Sequence, residues 1–272
     1  MPELPEVETI KNELAPHVVG RTFTGVTICD AKPIKQPAPE EFCRKLIGQR
    51  INSLERRGKY LIFHLSGGQV LIIHLRMTGA LLLNPEQDDR YTRGIFHLDN
   101  GKQLVFTDRR RLGAIWLADD AKSVTHKLGP EPFDPHFSAE TLAKLLQKHQ
   151  SPIKAVLLDQ SVIAGIGNMY ADEALYAARI HPLRKAGSLS HQEVQDLYQA
   201  IRHVLQKAII SKGASIDTYK RPDGDIGTAH HDFHVAHQKG KPCPNCGTPI
   251  ERLAIRNRGS YLCPKCQLTR QE

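Results

Sequence analysis

No stretch of the chain approaches the roughly 20 consecutive apolar residues of a membrane span, and the first thirty residues hold no apolar core of a secretion signal. These absences lead to the expectation of a soluble, intracellular protein with no membrane partner. There are no internal repeats and no low-complexity tract, although a polar, glycine-bearing stretch from Gly213 to about Gly240 is too long for an ordinary connection and reads as functional or mobile. Acidic residues are in deficit: 29 Asp and Glu against 37 Lys and Arg give a formal net charge of +8, which points to a polyanionic partner, most commonly nucleic acid. Cysteine is scarce outside two tight pairs. Cys29 and Cys43 stand alone, as small reduced hydrophobes would in a reducing compartment.

What is present divides by texture. At 272 residues the chain is long enough for two domains with cores of their own plus a small metal module. Val7, Ile10 and Leu14 lie at helical spacing in residues 5–15. From about residue 22 to 120 short β-rich runs follow, among them Tyr60–Leu65, Val70–His74, Ile95–Leu98 and Ala114–Leu117, separated by Gly-, Asn- and Asp-bearing turns. Phe42–Leu46 reads as a short helix between strands. This texture predicts an antiparallel sandwich or barrel. Three prolines in 128–135 end it, and helical periodicity takes over. Ser190 and Glu193 form a capping box for a helix that presents Val194, Leu197, Ile201 and Leu205 on one face. The fold class is therefore α+β, divided as a β-sandwich domain over 1–132, a helical domain over 133–237 and a zinc hairpin over 238–272.

Several positions carry chemistry. Cys243-Pro-Asn-Cys246 and Cys263-Pro-Lys-Cys266, with sixteen residues between them, have the spacing of a closed tetrahedral site, so one structural zinc is expected. Four thiolates and the ion bring the charge to about +6, which is still basic. Gly165-Ile-Gly-Asn168 ends a turn and opens a helix, with Asn168 as N-cap and free backbone N–H groups for a phosphate. Lys59 and Arg109-Arg-Arg111 mark turns of the β domain, where the net charge and the helix start favour contacts with a nucleic-acid backbone over mere solvation, and Met77 is either a core residue or an exposed wedge. At the N-terminus, loss of Met1 would leave the Pro2 amine beside Glu3. That pair can serve as a nucleophile with a proton carrier, or Pro5, Glu6 and Glu8 can be simply a good helix start. His230, His231, His234 and His237 have only Asp232 to complete a second metal site and read as phosphate contacts or solvated side chains.

Taken together, Pro2-Glu-Leu-Pro-Glu-Val-Glu-Thr9, Arg57-Gly-Lys-Tyr60, His74–Gly79, Leu128-Gly-Pro-Glu-Pro132, Gly165–Ala174 and the cysteine quartet resemble the formamidopyrimidine-DNA glycosylase family along the whole chain. The resemblance implies a monomeric bacterial cytoplasmic repair enzyme with damaged double-stranded DNA as partner, and a helical domain of the helix–two-turn–helix type. It implies excision of oxidised purines such as 8-oxoguanine and formamidopyrimidines through a Pro2 Schiff base, with Glu3 moving protons and β,δ-elimination cutting the strand. Lys59 and Arg258 join Pro2 and Glu3 as catalytic residues. Met77, Tyr91, Arg110, Leu112, Lys154, Asn168 and Arg258 are the implied DNA contacts. Leu112 stands where the family usually has phenylalanine, Tyr91-Thr-Arg93 replaces a histidine-containing motif, and 228–237 lacks the family's aromatic pattern. An oxidised-pyrimidine glycosylase and a non-catalytic zinc-containing DNA-binding protein remain the alternatives.

Overall fold

In the computed structural model, which describes residues 1–86 and 89–269, the chain divides into two compact units. Met1–His126 and Ile209–His230 make the first, and Lys127–Ala208 with His231–Glu272 the second. Texture along the sequence and compactness in space cut the chain differently, because the stretch after Gly213 folds back onto the β unit. There Ala214 donates its N–H to Glu6 Oε1 at 2.8 Å, and Arg221 pairs with Glu13 at 2.8 Å.

The first unit runs α1 (Leu4–Val18), β1 (Phe23–Ile28), β2 (Ile34–Gln36), α2 (Pro39–Leu46), β3 (Ile51–Arg57), β4 (Tyr60–Leu65), β5 (Val70–His74), β6 (Gly79–Leu83), β7 (Thr92–Leu98), β8 (Gln103–Asp108), β9 (Ala114–Ala118) and α3 (Lys122–Thr125). Two sheets, β1-β7-β8-β6 and β2-β9-β5-β4-β3, share one core. Every pairing is antiparallel except β2 with β9, so the predicted sandwich carries one parallel edge. α1 turns Leu4, Val7, Ile10, Leu14 and Val18 inward at helical spacing, and each is at most 1% exposed. Burial of each such side chain stabilises by roughly 1.5–3 kcal/mol. β5 is buried at all five positions because α3 and Trp116 cover its second face, which explains why its sequence is a continuous apolar run. β3 is missing from the predicted strands: a bulge between Ile51 and Ser53 breaks its alternation, leaving buried positions three apart.

The second unit contains α4 (Ala139–Leu146), α5 (Ile153–Leu157), α6 (Asn168–Ala177) and all but the last two residues of α7 (His191–Ile210), followed by the hairpin β10 (Glu251–Ile255) and β11 (Arg258–Leu262). The capping box of α7 forms as predicted, with Glu193 Oε2 accepting from Ser190 N–H at 2.7 Å and Ser190 Oγ accepting from Glu193 N–H at 3.3 Å. Between α5 and α6 the turn is fastened by one side chain. Gln160 donates to the Ile166 carbonyl at 2.8 Å and accepts from Gly165 N–H at 3.0 Å, and Gly165 sits at φ +99°, which favours glycine. α6 corrects the expected cap: Gly167 is the N-cap and Asn168 the first helical residue. No helix among the described residues is long and apolar enough to cross a membrane.

Candidate active site and nucleic-acid interface

The N-terminus of the first unit is held tightly. Glu3 is the N-cap of α1 and is 2% exposed. Its N–H donates to Glu6 Oε2 at 2.8 Å in a capping box, and Pro2 beside it is buried. The helix-start and catalytic readings of this segment are compatible, since the cap itself fixes Glu3 next to residue 2. Glu6 spends its second oxygen on Ala214, so one buried carboxylate ties the chain start to the returning segment.

Lys59 lies in the Gly58-Lys59 turn joining β3 to β4, with Gly58 at φ +57°, yet it is only 5% exposed. A lysine almost fully buried in a hairpin turn is uncommon and marks the position as more than a solvated turn. His74, at the end of β5, accepts from Arg76 N–H through Nδ1 at 2.9 Å and packs edge-on against Tyr60 at 4.5 Å. Burial, and then the nearby Arg76 and Lys59 charges, push its pKa down to about 3. The ring is therefore neutral and its Nδ1 lone pair holds the following turn. That turn presents Met77, 39% exposed. On the neighbouring strand end Arg110 and Leu112 are exposed as well, Leu112 at 42%. The β6–β8 register pairs Gly79 with Asp108, which places Met77 two residues before one strand and Arg110 two residues after the other, at the same sheet end. Tyr91 is half-buried with the Arg90 guanidinium 4.7 Å over its ring. Arg93 donates to the Asp108 carbonyl at 2.9 Å, so the residue replacing the family's histidine motif is committed to the fold.

In the second unit the hairpin tip is Arg256-Asn257, both at positive φ as a type I′ turn requires, with Arg258 exposed at the start of β11. Its neighbour Gly259 is the anchor. The Gly259 carbonyl accepts from Asn168 Nδ2 at 3.0 Å and Lys154 Nζ at 3.1 Å, while Lys154 is ion-paired to Asp172 at 2.7 Å with both side chains fully buried. Lys154, expected as a DNA contact, is placed with its side chain inside the fold, where it ties down the hairpin that carries Arg258. Asn168 keeps a second amide hydrogen for a ligand. Burial pushes the Asp172 carboxyl up to about 7 against the opposing pull of Lys154. Asp172 and Glu173 also lie beyond the first turn of α6. Glu173 accepts instead from the N–H groups of His234, Val235 and Ala236 at 3.0, 2.8 and 2.8 Å, which shapes the start of the zinc segment. Neither carboxylate is distinguishable in sequence from a solvated helix acid.

The four cysteine sulfurs converge within 4.8 Å of one another, and none is in a disulfide. A tetrahedron with Zn–S bonds of about 2.3 Å has sulfurs about 3.8 Å apart. The Cys243–Cys266 pair lies at 3.8 Å and Cys246–Cys263 at 3.4 Å, so the donor set fits one zinc with no open position. Among the described residues this is the one cluster able to hold a metal, and the histidines of 230–237 form none. Gln267, fully buried, fastens the knuckle to the helices by accepting from Cys263 N–H and donating to the Ile180 carbonyl, both at 2.9 Å.

Three family models match in succession: the formamidopyrimidine-DNA glycosylase N-terminal domain over residues 1–115, the corresponding H2TH domain over 128–220, and a zinc finger found in FPG and IleRS over 240–268. Formamidopyrimidine-DNA glycosylase from Chloroflexus aurantiacus is 45% identical, over 100% of this chain and 99% of its own length. The chain belongs to the formamidopyrimidine-DNA glycosylase family. Among solved members of this glycosylase family, the Lactococcus lactis Fpg in complex with an abasic-site-containing DNA superposes with a TM-score of 0.91 at 32% identity, covering 98% of this chain and 100% of that one. The MutM (FPG) protein of Thermus thermophilus gives 0.90 at 39% identity, covering 98% of each. The family's α+β fold, with its H2TH domain and zinc finger, is thus the fold of this chain.

Proposed function

We propose that this chain excises oxidised purines from duplex DNA and then cuts the strand at the resulting abasic site, acting as a monomer in the bacterial cytoplasm. The observation that carries the reading is Pro2-Glu3 at the head of α1, with Glu3 buried and its N–H fixed by Glu6. Once Met1 is removed, the Pro2 amine, with a reference pKa near 8, is partly unprotonated at neutrality. Its lone pair forms a bond to C1′ of the extruded nucleotide as the glycosidic bond breaks and the base leaves. Glu3 delivers a proton as the sugar ring opens to the iminium, and β- and δ-elimination expel the two flanking phosphates. Lys59 in the first unit, and Asn168 and Arg258 in the second, take backbone phosphates. Met77, Arg110 and Leu112 enter the duplex to fill the place of the extruded base, and Tyr91 lies against the strand. Zinc, held by Cys243, Cys246, Cys263 and Cys266, supplies structure to the hairpin and no chemistry.

A panel of duplexes each bearing one lesion tests this reading. Single-turnover excision is expected to be fastest on 8-oxoguanine opposite cytosine and on formamidopyrimidines, at least about tenfold faster than on oxidised pyrimidines, a difference in barrier of roughly 1.4 kcal/mol. Faster excision of pyrimidine lesions would move the chain to that substrate class. Binding with no excision of any lesion would leave a DNA-binding protein.

A further inference from the structure

Met77 and Arg110 belong to different loops, yet one buried side chain holds both. Asp108, 0% exposed, ends β8. Its Oδ1 accepts from the Thr78 hydroxyl at 2.5 Å and from Arg110 N–H at 3.1 Å, and its Oδ2 accepts from Gly113 N–H at 2.6 Å. Thr78 Oγ1 closes the triangle by accepting from Arg110 N–H at 3.0 Å. The carboxylate therefore binds the residue after Met77, the backbone of Arg110 and the residue after Leu112.

The surroundings leave this arrangement little freedom. A Cβ on Gly113 would stand 2.5 Å from the Phe106 ring and 3.1 Å from Asp108 Oδ2, so only glycine admits the close approach. A Cβ on Gly79 would stand 2.4 Å from the Leu75 carbonyl oxygen, and Arg76 and Arg111 occupy positive φ at 55° and 56°. Arg111 is clipped on its far side to Asp30, at 2.5 and 3.0 Å. Each loop is thus stiff within itself, and the Asp108–Thr78 hydrogen bond links one to the other.

We infer that Asp108, acting through Thr78, is a positioning residue that makes the Met77 turn and the Arg110–Leu112 turn a single rigid wedge. The inference rests on the proposed function, in which these residues enter the duplex together. An Asp108→Asn change cannot preserve the arrangement, because its amide would face N–H groups or a donating hydroxyl on one side or the other. That variant risks misfolding, so Thr78 is the better handle. Thr78→Val removes the hydroxyl at nearly constant shape and leaves the bonds of Asp108 to Arg110 and Gly113 in place.

The test is a double-mutant cycle read by single-turnover excision of 8-oxoguanine, with fluorescence of a 2-aminopurine beside the lesion reporting insertion. Thr78→Val is expected to slow insertion and excision about tenfold, as misplacement of a positioned group does. Affinity for undamaged duplex should stay unchanged, and Thr78→Ser should recover most of the rate. In a Met77→Ala background the same Thr78→Val change is expected to cost less than about twofold, because the wedge it positions is gone. Equal rates for wild type and Thr78→Val, or an equal loss in both backgrounds, would overturn the inference while leaving the proposed function standing. Wild-type protein that leaves the lesion in place would overturn both.

Discussion

Protein stripped of zinc, or carrying Cys246→Ser, is expected to lose its hairpin and most of its affinity for DNA. β10 and β11 have five residues each, and an isolated two-stranded hairpin is at best marginally stable in water. Its small core consists of Val235, Ile250, Cys243 and Cys263, so two of its four buried residues are themselves ligands. Structural zinc sites contribute about 10–16 kcal/mol of apparent binding energy in finger peptides, which here is folding energy for residues around 240–268. Without the metal Arg258 has no fixed position, and a charge-assisted contact worth about 1.5–3 kcal/mol is lost, corresponding to roughly 10- to 100-fold in affinity. Fluorescence anisotropy on a lesion duplex, paired with a colorimetric zinc determination, measures both quantities. Full affinity in zinc-free protein would show that the hairpin stands without its metal.

Lys154→Met is expected to be the most destabilising single substitution among the site residues. It leaves Asp172 buried without its cation, a situation that costs about 3–5 kcal/mol, and the melting midpoint should fall by roughly 10 °C. The Lys154→Met/Asp172→Leu pair removes both charges and should recover much of the loss, since a buried pair replaced by apolar groups is often neutral. The pH dependence has a definite sign. The folded carboxyl is already raised to about 7 from 3.8 by burial, and loss of Lys154 raises it further. As the pH rises past the folded value the wild-type contribution levels off, whereas the variant still binds a proton when folded and none when unfolded. Its stability therefore continues to fall by about 1.4 kcal/mol per pH unit. The deficit should widen from pH 7 to 8.5 in denaturant titrations; a deficit that shrinks with rising pH would refute the ion-pair account.

These two cases mark where the sequence was legible and where it was not. The cysteine quartet is readable because metal geometry imposes a spacing that survives in one dimension. The strands Tyr60–Leu65 and Val70–His74 are readable to the residue because burial concentrates apolar residues in Leu61–Phe63 and throughout β5. β3 escapes because a bulge spoils its period, and β2 because three residues with only Ile34 apolar carry no pattern. In the candidate site Arg110 is legible because charge at a turn places it at the surface, whereas Met77 stays open between core and wedge until the fold exposes it. Lys154 enters as a DNA contact through the family resemblance alone. Only the fold shows Asp172 one helix away, closing on it. Asp108 is hidden for the same reason: its partners are one backbone N–H from each of two residues and one hydroxyl thirty positions earlier.

Borohydride trapping bears most directly on the central claim, the Pro2 amine as nucleophile. Purified protein with Met1 shown by mass spectrometry to be absent is mixed with a duplex carrying 8-oxoguanine opposite cytosine, and reduced, alongside Pro2→Gly and Glu3→Gln. The expected result is a covalent protein–DNA adduct that maps to residue 2 and is lost or strongly diminished in the Pro2 variant. An adduct mapping to a lysine, or no adduct on 8-oxoguanine, formamidopyrimidine or a bare abasic site despite tight binding, would contradict the account.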